Sequence, residues 1–339
     1  MKIFVFLFLF CGFAYGDINL KIATYNVENL FDLQKNGNEY PEYVPNTQAN
    51  WNQKTYKIKL QNIAKVIKDI NADIIALQEI ESLQALKDLR FALKQSGVYY
   101  QYYKIADSKN TTVKVALLSK QQFAYAKEIA VTSSYAYRNI LEAKFTVNGQ
   151  DLYVLVNHWK AKSGPESMRI VSAKKVRRRI EELGHEKNVI VLGDFNSDYE
   201  EYKLFKRIRK HNDTNGRTGI NDVLRTKSQI SKASKVNYEK NSLYNLWYDA
   251  EEDQRYTYIF RGKKEAMDSV VISQSLLNQK DAYYRYDSIA SYKPKYLFKG
   301  KQIYRWATTR KKPHRNKGKG YSDHLAVSAE FVVSSSANQ

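Results

Sequence analysis

Hydrophobic and polar positions alternate along this chain in two rhythms. Short apolar runs are found at Ile22 to Tyr25, Ile74 to Leu77, Val113 to Leu118, Leu152 to Val156, Val189 to Leu192, Val270 to Ile272 and Leu325 to Val333. Such runs, bounded by polar residues, predict strands. Between them, Tyr56, Leu60, Ile63, Ile67 and Ile70 step by four and three residues. Ala173, Val176, Ile180 and Leu183 do the same, after Gly164-Pro165. That spacing puts apolar side chains on one helical face, and proline suits a helix start. Strands and helices mixed in this way predict an α/β layered fold. Residues 199–255 are polar and irregular and read as an insertion carrying short helices. No internal repeat and no Pro/Gly/Ser-rich linker divides the rest, so 17–339 reads as one domain.

Residues 1–16 follow neither rhythm. Lys2 precedes an unbroken apolar run, Ile3 to Phe10, and Ala14-Tyr15-Gly16 is a small-x-small exit. This predicts a secretory signal peptide, hence a secreted or periplasmic bacterial protein. The run is too short to span a bilayer and no other segment is long and apolar enough, so no stable membrane insertion is expected. A lipid on Cys11 is disfavoured because bulky Phe10 precedes it. Cys11 is the single cysteine. Its loss with the signal excludes a thiol nucleophile, a thiolate metal site and disulfides from the mature chain. Hydrophobic residues make up 43% of the chain, enough for a substantial core, and a monomer is the default.

The strand ends carry the chemistry. Ile22 to Tyr25 runs into Asn26, Ile74 to Leu77 into Gln78 and Glu79, Leu152 to Val156 into Asn157 and His158, and Val189 to Leu192 into Gly193, Asp194, Phe195 and Asn196. Asp268 precedes Val270, and Ser322-Asp323-His324 precedes Leu325. In a mixed sheet these ends can share one rim, the usual place for a site in α/β folds. Carboxylates and an amide suit a hard cation such as Mg²⁺, Mn²⁺ or Ca²⁺. Two histidines suit proton transfer or phosphate contact.

The phrases Ala23-Thr24-Tyr25-Asn26-Val27-Glu28-Asn29-Leu30-Phe31, Ala76-Leu77-Gln78-Glu79-Ile80, Val156-Asn157-His158-Trp159-Lys160, Gly193-Asp194-Phe195-Asn196-Ser197-Asp198 and Tyr321-Ser322-Asp323-His324 resemble, in order, the motif series of the endonuclease/exonuclease/phosphatase superfamily. Asn157 to Lys162, with Arg169 downstream, and Tyr256 to Asp268 are similar to segments of bacterial extracellular and DNase I-like nucleases. The resemblance implies a four-layer sandwich of two mixed β-sheets flanked by helices. It implies Glu79 as main metal ligand with Asn26 beside it and Asp323 tied to the metal region. Asp194 and Asn196 match the pair that positions water and phosphate. Asp268 and His324 match a carboxylate–histidine pair held against the phosphate, and His158 matches a second histidine that can protonate the leaving oxygen. Arg138 and Asn157 are implied as phosphate contacts. One departure stands out: Thr111 to Leu118 holds no acidic residue to orient His158, as DNase I-like enzymes have.

Formal net charge is +20, which attracts polyanions without choosing among them. From Ser288 to Ser322 there are eleven Lys or Arg and no Asp or Glu. Arg310, Lys311, Lys312, Arg315, Lys317 and Lys319 form the dense part, directly before Asp323-His324, and read as a nucleic-acid-binding loop at the rim. Tyr292, Tyr296, Phe298, Tyr304 and Trp306 are interleaved and offer stacking faces. A second basic stripe, Arg169 to Arg179, follows His158. The expectation is a secreted, metal-dependent nuclease acting on DNA, with RNA open, and little sequence preference. Two alternatives are a sphingomyelinase-like phospholipid phosphodiesterase and a non-catalytic polyanion-binding or toxin subunit.

Overall fold

The computed structural model describes residues 16–204, 211–226 and 239–335. The signal-peptide reading therefore lies outside the described residues apart from Gly16, as do parts of the 199–255 segment. Strands are numbered in chain order. The first sheet is built from β1 (Ile18–Leu30), β2 (Ile74–Ile80), β3 (Tyr102–Ile105), β4 (Lys114–Ser119), β13 (Ala282–Tyr284), β14 (Ala290–Ser291) and β17 (Val327–Val333). Its order is β13-β17-β1-β2-β4-β3, with β14 also on β17. The second contains β5 (Phe123–Ile129), β6 (Ile140–Val147), β7 (Gln150–His158), β8 (Asn188–Asp194), β9 (Tyr244–Asn245) and β12 (Asp268–Ile272), in the order β5-β6-β7-β8-β12-β9. Two small hairpins stand apart: β10 (Tyr258–Phe260) with β11 (Lys263–Glu265), and β15 (Phe298–Lys299) with β16 (Gln302–Ile303).

The two-residue period of a strand explains why the sheets pack as they do. Ile22, Ile74, Ala76, Val115 and Leu117 of the first sheet meet Leu152, Val154, Val156, Ile190, Leu192 and Val270 of the second in one buried cluster. The alternate residues Ala23, Tyr25, Ile75, Leu77, Ala116 and Leu118 turn outward. There they meet Tyr56, Ile63 and Ile67 of α1 (Gln53–Ile70) and Leu86, Leu89 and Leu93 of α2 (Leu83–Gln95). On the far side Tyr153, Leu155, Val189, Val191 and Val271 pack on Ala173, Val176 and Ile180 of α3 (Glu166–Leu183). The result is helix, sheet, sheet, helix: the expected four layers. A strand buried on both faces loses its polar alternation, which is why these runs read as continuously apolar.

Capping fixes the helix starts. Asn52 caps α1 in a reciprocal box with Thr55, and Pro165 precedes α3. Residues 239–255, read as part of an insertion, are not peripheral. They supply β9 and bury Tyr244, Leu246 and Trp247 completely in the inter-sheet core. The stripe Arg169 to Arg179 is also corrected. Arg169 is 1% exposed and bonds Glu166 and three carbonyls. Arg177 bonds the carbonyls of Val223, Leu224 and Asn241, and Arg179 pairs with Glu142. These three arginines fasten α3, while Lys174 and Arg178 stay exposed on the same helix.

Candidate active site

Register brings the strand-end residues together. β7 and β8 run parallel with His158 opposite Asp194, and β12 runs antiparallel to β8 with Asp268 opposite Asp194. Three strands of one sheet thus set His158, Asp194 and Asp268 in a row. In the other sheet β1 and β2 are parallel and in register as far as Asn26 opposite Gln78, and resume at Leu30 opposite Ile80. Three residues of β1 therefore oppose the single Glu79. Glu28, Asn29 and Glu79 take φ of 51°, 58° and 66°, a region that costs a non-glycine residue about 1 kcal/mol or more. Hydrogen bonds hold the bulge: Glu28 N donates to Asn26 Oδ1 at 3.0 Å, and Asn29 N to Glu79 Oε2 at 2.9 Å. The bulge turns Glu79 toward the second sheet.

The sheets meet at Asn26. Its Nδ2 donates to Glu79 Oε1 at 3.1 Å and to Asp194 Oδ2 at 3.0 Å. His158 Nε2 faces the same two carboxylates at 3.8 and 3.5 Å. Asn196, at φ 46°, donates its N–H to Asp194 Oδ1 at 2.8 Å. His324 Nδ1 lies 2.7 Å from Asp268 Oδ2, and its Nε2 lies 4.0 Å from Asp194 Oδ2. Asp194, Asp268 and His324 are all buried, and one ligand atom from each lies within 4.8 Å of the others. Because His324 Nδ1 is already engaged by Asp268, these three serve as a carboxylate–imidazole pair facing a carboxylate.

The electrostatics divide the two histidines. Burial opposes charge on His324, but the carboxylates of Asp268 and Asp194 outweigh it and hold its pKa well above the ordinary value. Burial, reinforced by the charges of Arg138 and His324, holds His158 well below it. Burial also pushes Asp194 up to about 7; His324 pulls it back, and the charges of Asp268 and Glu79 push further. His158 Nδ1 is buried without a hydrogen-bond partner among the described residues, in line with the missing acidic residue noted in the sequence. A neutral ring with no acceptor at Nδ1 favours the proton on Nε2, directed at Asp194 and Glu79.

The other expected residues divide. Asp323 sits at the rim, but its carboxylate pairs with Arg305 at 3.1 Å. Arg305 also grips Glu28, Nε to Oε1 at 2.9 Å, and Glu28 Oε2 accepts the Trp306 N–H. Arg138 donates weakly to the Trp159 carbonyl at 3.4 Å. Asn157 is fully buried, its Nδ2 on the Leu155 carbonyl and its Oδ1 on the Trp159 indole. Both ends of that amide are engaged in shaping the strand end, so the phosphate contact expected of it is replaced by a structural role. Arg310, Lys317 and Lys319 line a groove of about 940 Å³ that begins at Asn29 and Asp323. Lys311, Lys312 and Arg315 are exposed on the same loop, beyond that lining.

Two further features escaped the sequence reading. Of its stacking candidates, Trp306 is 2% exposed, and Tyr292 and Tyr296 donate to Asp69 on α1. Tyr43, Tyr304 and the edge of Trp306 line the groove, together with two rings of β10, Tyr258 and Phe260. The second feature is the Arg305–Glu28–Asp323 cluster. Its signals were an acid, Glu28, two residues after the strand-end Asn26, and the Arg305-Trp306 pair.

Hard oxygen donors and one amide converging between two sheets fit a divalent cation. Burial first, and then the charges of Asp268 and Glu79, raise Asp194, and such an ion would offset both.

The model of the Endonuclease/Exonuclease/phosphatase family matches residues 21–332. No curated protein matches the sequence. Among solved structures, D. rerio TDP2 complexed with single strand DNA product superposes with a TM-score of 0.56 at 15% identity, covering 92% of this chain and 98% of that one. Truncated Caenorhabditis elegans TDP2 gives 0.56 at 16%, with 92% and 97% covered. A Bacteroides thetaiotaomicron mannosyl-6-phosphatase gives 0.55 at 15%, with 92% and 99% covered. At these identities the likeness is one of fold.

Proposed function

Because this chain belongs to the endonuclease/exonuclease/phosphatase family, a family of phosphoester hydrolases, we propose that it is a secreted, metal-dependent nuclease that hydrolyses phosphodiester bonds of DNA with little sequence preference. Glu79, with Asn26 beside it, would hold a divalent cation of the Mg²⁺, Mn²⁺ or Ca²⁺ kind, with Asp323 at the edge of that region. When bound, such an ion polarises a phosphoryl oxygen and offsets the charge that develops on it.

The chain's own residues do the rest. Asp194, steadied by the Asn196 N–H, orients a water for in-line attack. His324 is kept protonated and oriented by Asp268, and its Nε2 points to the phosphate side. As the water gives a proton to Asp194 and its oxygen bonds to phosphorus, the ester P–O bond breaks and the leaving oxygen takes a proton from a histidine. His324 carries the proton to give, whereas neutral His158 donates a hydrogen bond through Nε2.

The observation that favours nucleic acid is the basic groove that opens beside Asp323, since lysines and arginines along a path neutralise successive phosphates. Secretion rests on the apolar run of residues 3–10. No described helix is long and apolar enough to cross a membrane. The test is a panel of DNA, RNA, sphingomyelin and a small phosphomonoester under Mg²⁺, Mn²⁺ or Ca²⁺. Metal-dependent cutting of DNA is expected. Hydrolysis of the lipid or the monoester alone would replace this reading.

A further inference from the structure

The groove has two unlike walls. One is the basic loop, contributing Arg310, Lys317 and Lys319. The other is the β10–β11 hairpin, which is fastened to the catalytic histidine itself. Tyr258 bridges to His324, and Leu325 N donates to the Thr257 carbonyl at 2.8 Å. Side chains of residues two apart share a strand face, so the rings follow one another outward. The Tyr258 ring lies 5.0 Å from the His324 ring, and Phe260 lies 6.5 Å from Tyr258 with the two planes only 14° apart. Phe260 is 52% exposed, a large apolar ring standing in a cationic groove, with Arg261 at 5.2 Å from it. The fold does not need that ring for its core.

Between the walls lies Arg305. Its Nε and Nη2 are held by Glu28 and Asp323, which fixes the guanidinium, while Nη1 bonds no described residue. An anchored guanidinium with a free edge in a groove is preorganised for a phosphate.

We propose that this groove is a subsite for an unpaired stretch of nucleic acid, with bases stacked along Tyr258 and Phe260 and a phosphate on Arg305. Paired bases are covered on both faces by their neighbours, so a row of rings can stack only on bases released from a duplex. The inference rests on the nucleic-acid reading of the same site and adds that single strands are its preferred form.

The test compares initial cleavage rates on a single-stranded oligodeoxynucleotide and on its duplex, for the wild type, Phe260→Ala and Phe260→Trp. Wild type is expected to prefer the single strand. Phe260→Ala should lower the single-strand-to-duplex ratio about tenfold, the weight of one stacked base, and Phe260→Trp should retain it. Circular dichroism confirms that the variants fold, as expected at an exposed position. DNA cutting with a ratio insensitive to Phe260→Ala would overturn the subsite and leave the nuclease intact. Cutting of neither strand, with hydrolysis of a small phosphoester by the same preparation, would overturn both.

Discussion

At the scale of single residues, the site separates two histidines that the sequence treats alike. His324 has a carboxylate at 2.7 Å, and His158 Nδ1 has no partner among the described residues. If protonated His324 is required, activity is lost as pH rises through its raised pKa. Asp268→Asn removes the largest influence raising that pKa, so the alkaline limb of the kcat/KM profile should move to lower pH. An unmoved limb would assign it to another group. The linked effect on stability has a definite sign. The pair stabilises the fold fully below the ordinary histidine pKa of about 6.5, and the gain fades as pH rises through the raised value. The sequence showed which residue types gather, because polar groups at the ends of apolar strands are visible in one dimension. It did not show which residues close on one another. Asn157 looked available for a phosphate and is engaged on both sides, and Asp323 looked like a ligand and faces Arg305.

At the scale of elements, the parallel pair β7–β8 must keep its register for His158 to stand opposite Asp194. Gly193 makes this possible: at φ 137° it lies against Asn157, and an added Cβ would sit 2.0 Å from the Asn157 carbonyl oxygen. Gly193→Ala should cost several kcal/mol and depress activity further, read from denaturant midpoints beside rates. Gly320 plays the matching part for the basic loop, where a Cβ would meet the Arg305 carbonyl oxygen at 1.9 Å. Gly320→Ala should loosen that loop and raise KM on DNA more than it lowers the melting temperature. Loss of stability with KM unchanged would deny the loop a role in binding. Long apolar runs and the α1 and α3 periodicities were legible in the sequence. The α2 helix and β6 escaped the reading although Leu86, Leu89, Leu93 and Leu141, Ala143, Phe145, Val147 carry the helical and strand periods; β9 is two residues long and has no period to read. Trp247 lies in the short apolar run Leu243 to Tyr248 within a largely polar stretch, and is fully buried next to β9, which joins β12.

At the scale of the whole molecule, the chain carries a formal charge of +20, and Arg261, Lys299, Arg305, Arg310, Lys317 and Lys319 line the groove beside Asp323. DNA affinity should therefore fall steeply with salt. Lys317→Glu and Lys319→Glu should each lower the log–log salt slope by about 1 or more, across all DNA sequences alike. Fluorescence anisotropy over a salt series reads this directly, and an unchanged slope would place the phosphates elsewhere. Charge alone suggested the polyanion. The second basic stripe illustrates its weakness as a guide, since Arg169, Arg177 and Arg179 are consumed in fastening α3.

The most direct measurement is nicking of supercoiled plasmid by the purified protein with Mg²⁺, Mn²⁺ or Ca²⁺, against EDTA and against Glu79→Ala and His324→Ala. The expected result is metal-dependent nicking that falls by orders of magnitude in both variants while each remains folded. Near-normal nicking in either variant, or none by a folded wild type under every metal, would contradict the assignment of this site to phosphodiester hydrolysis in nucleic acid.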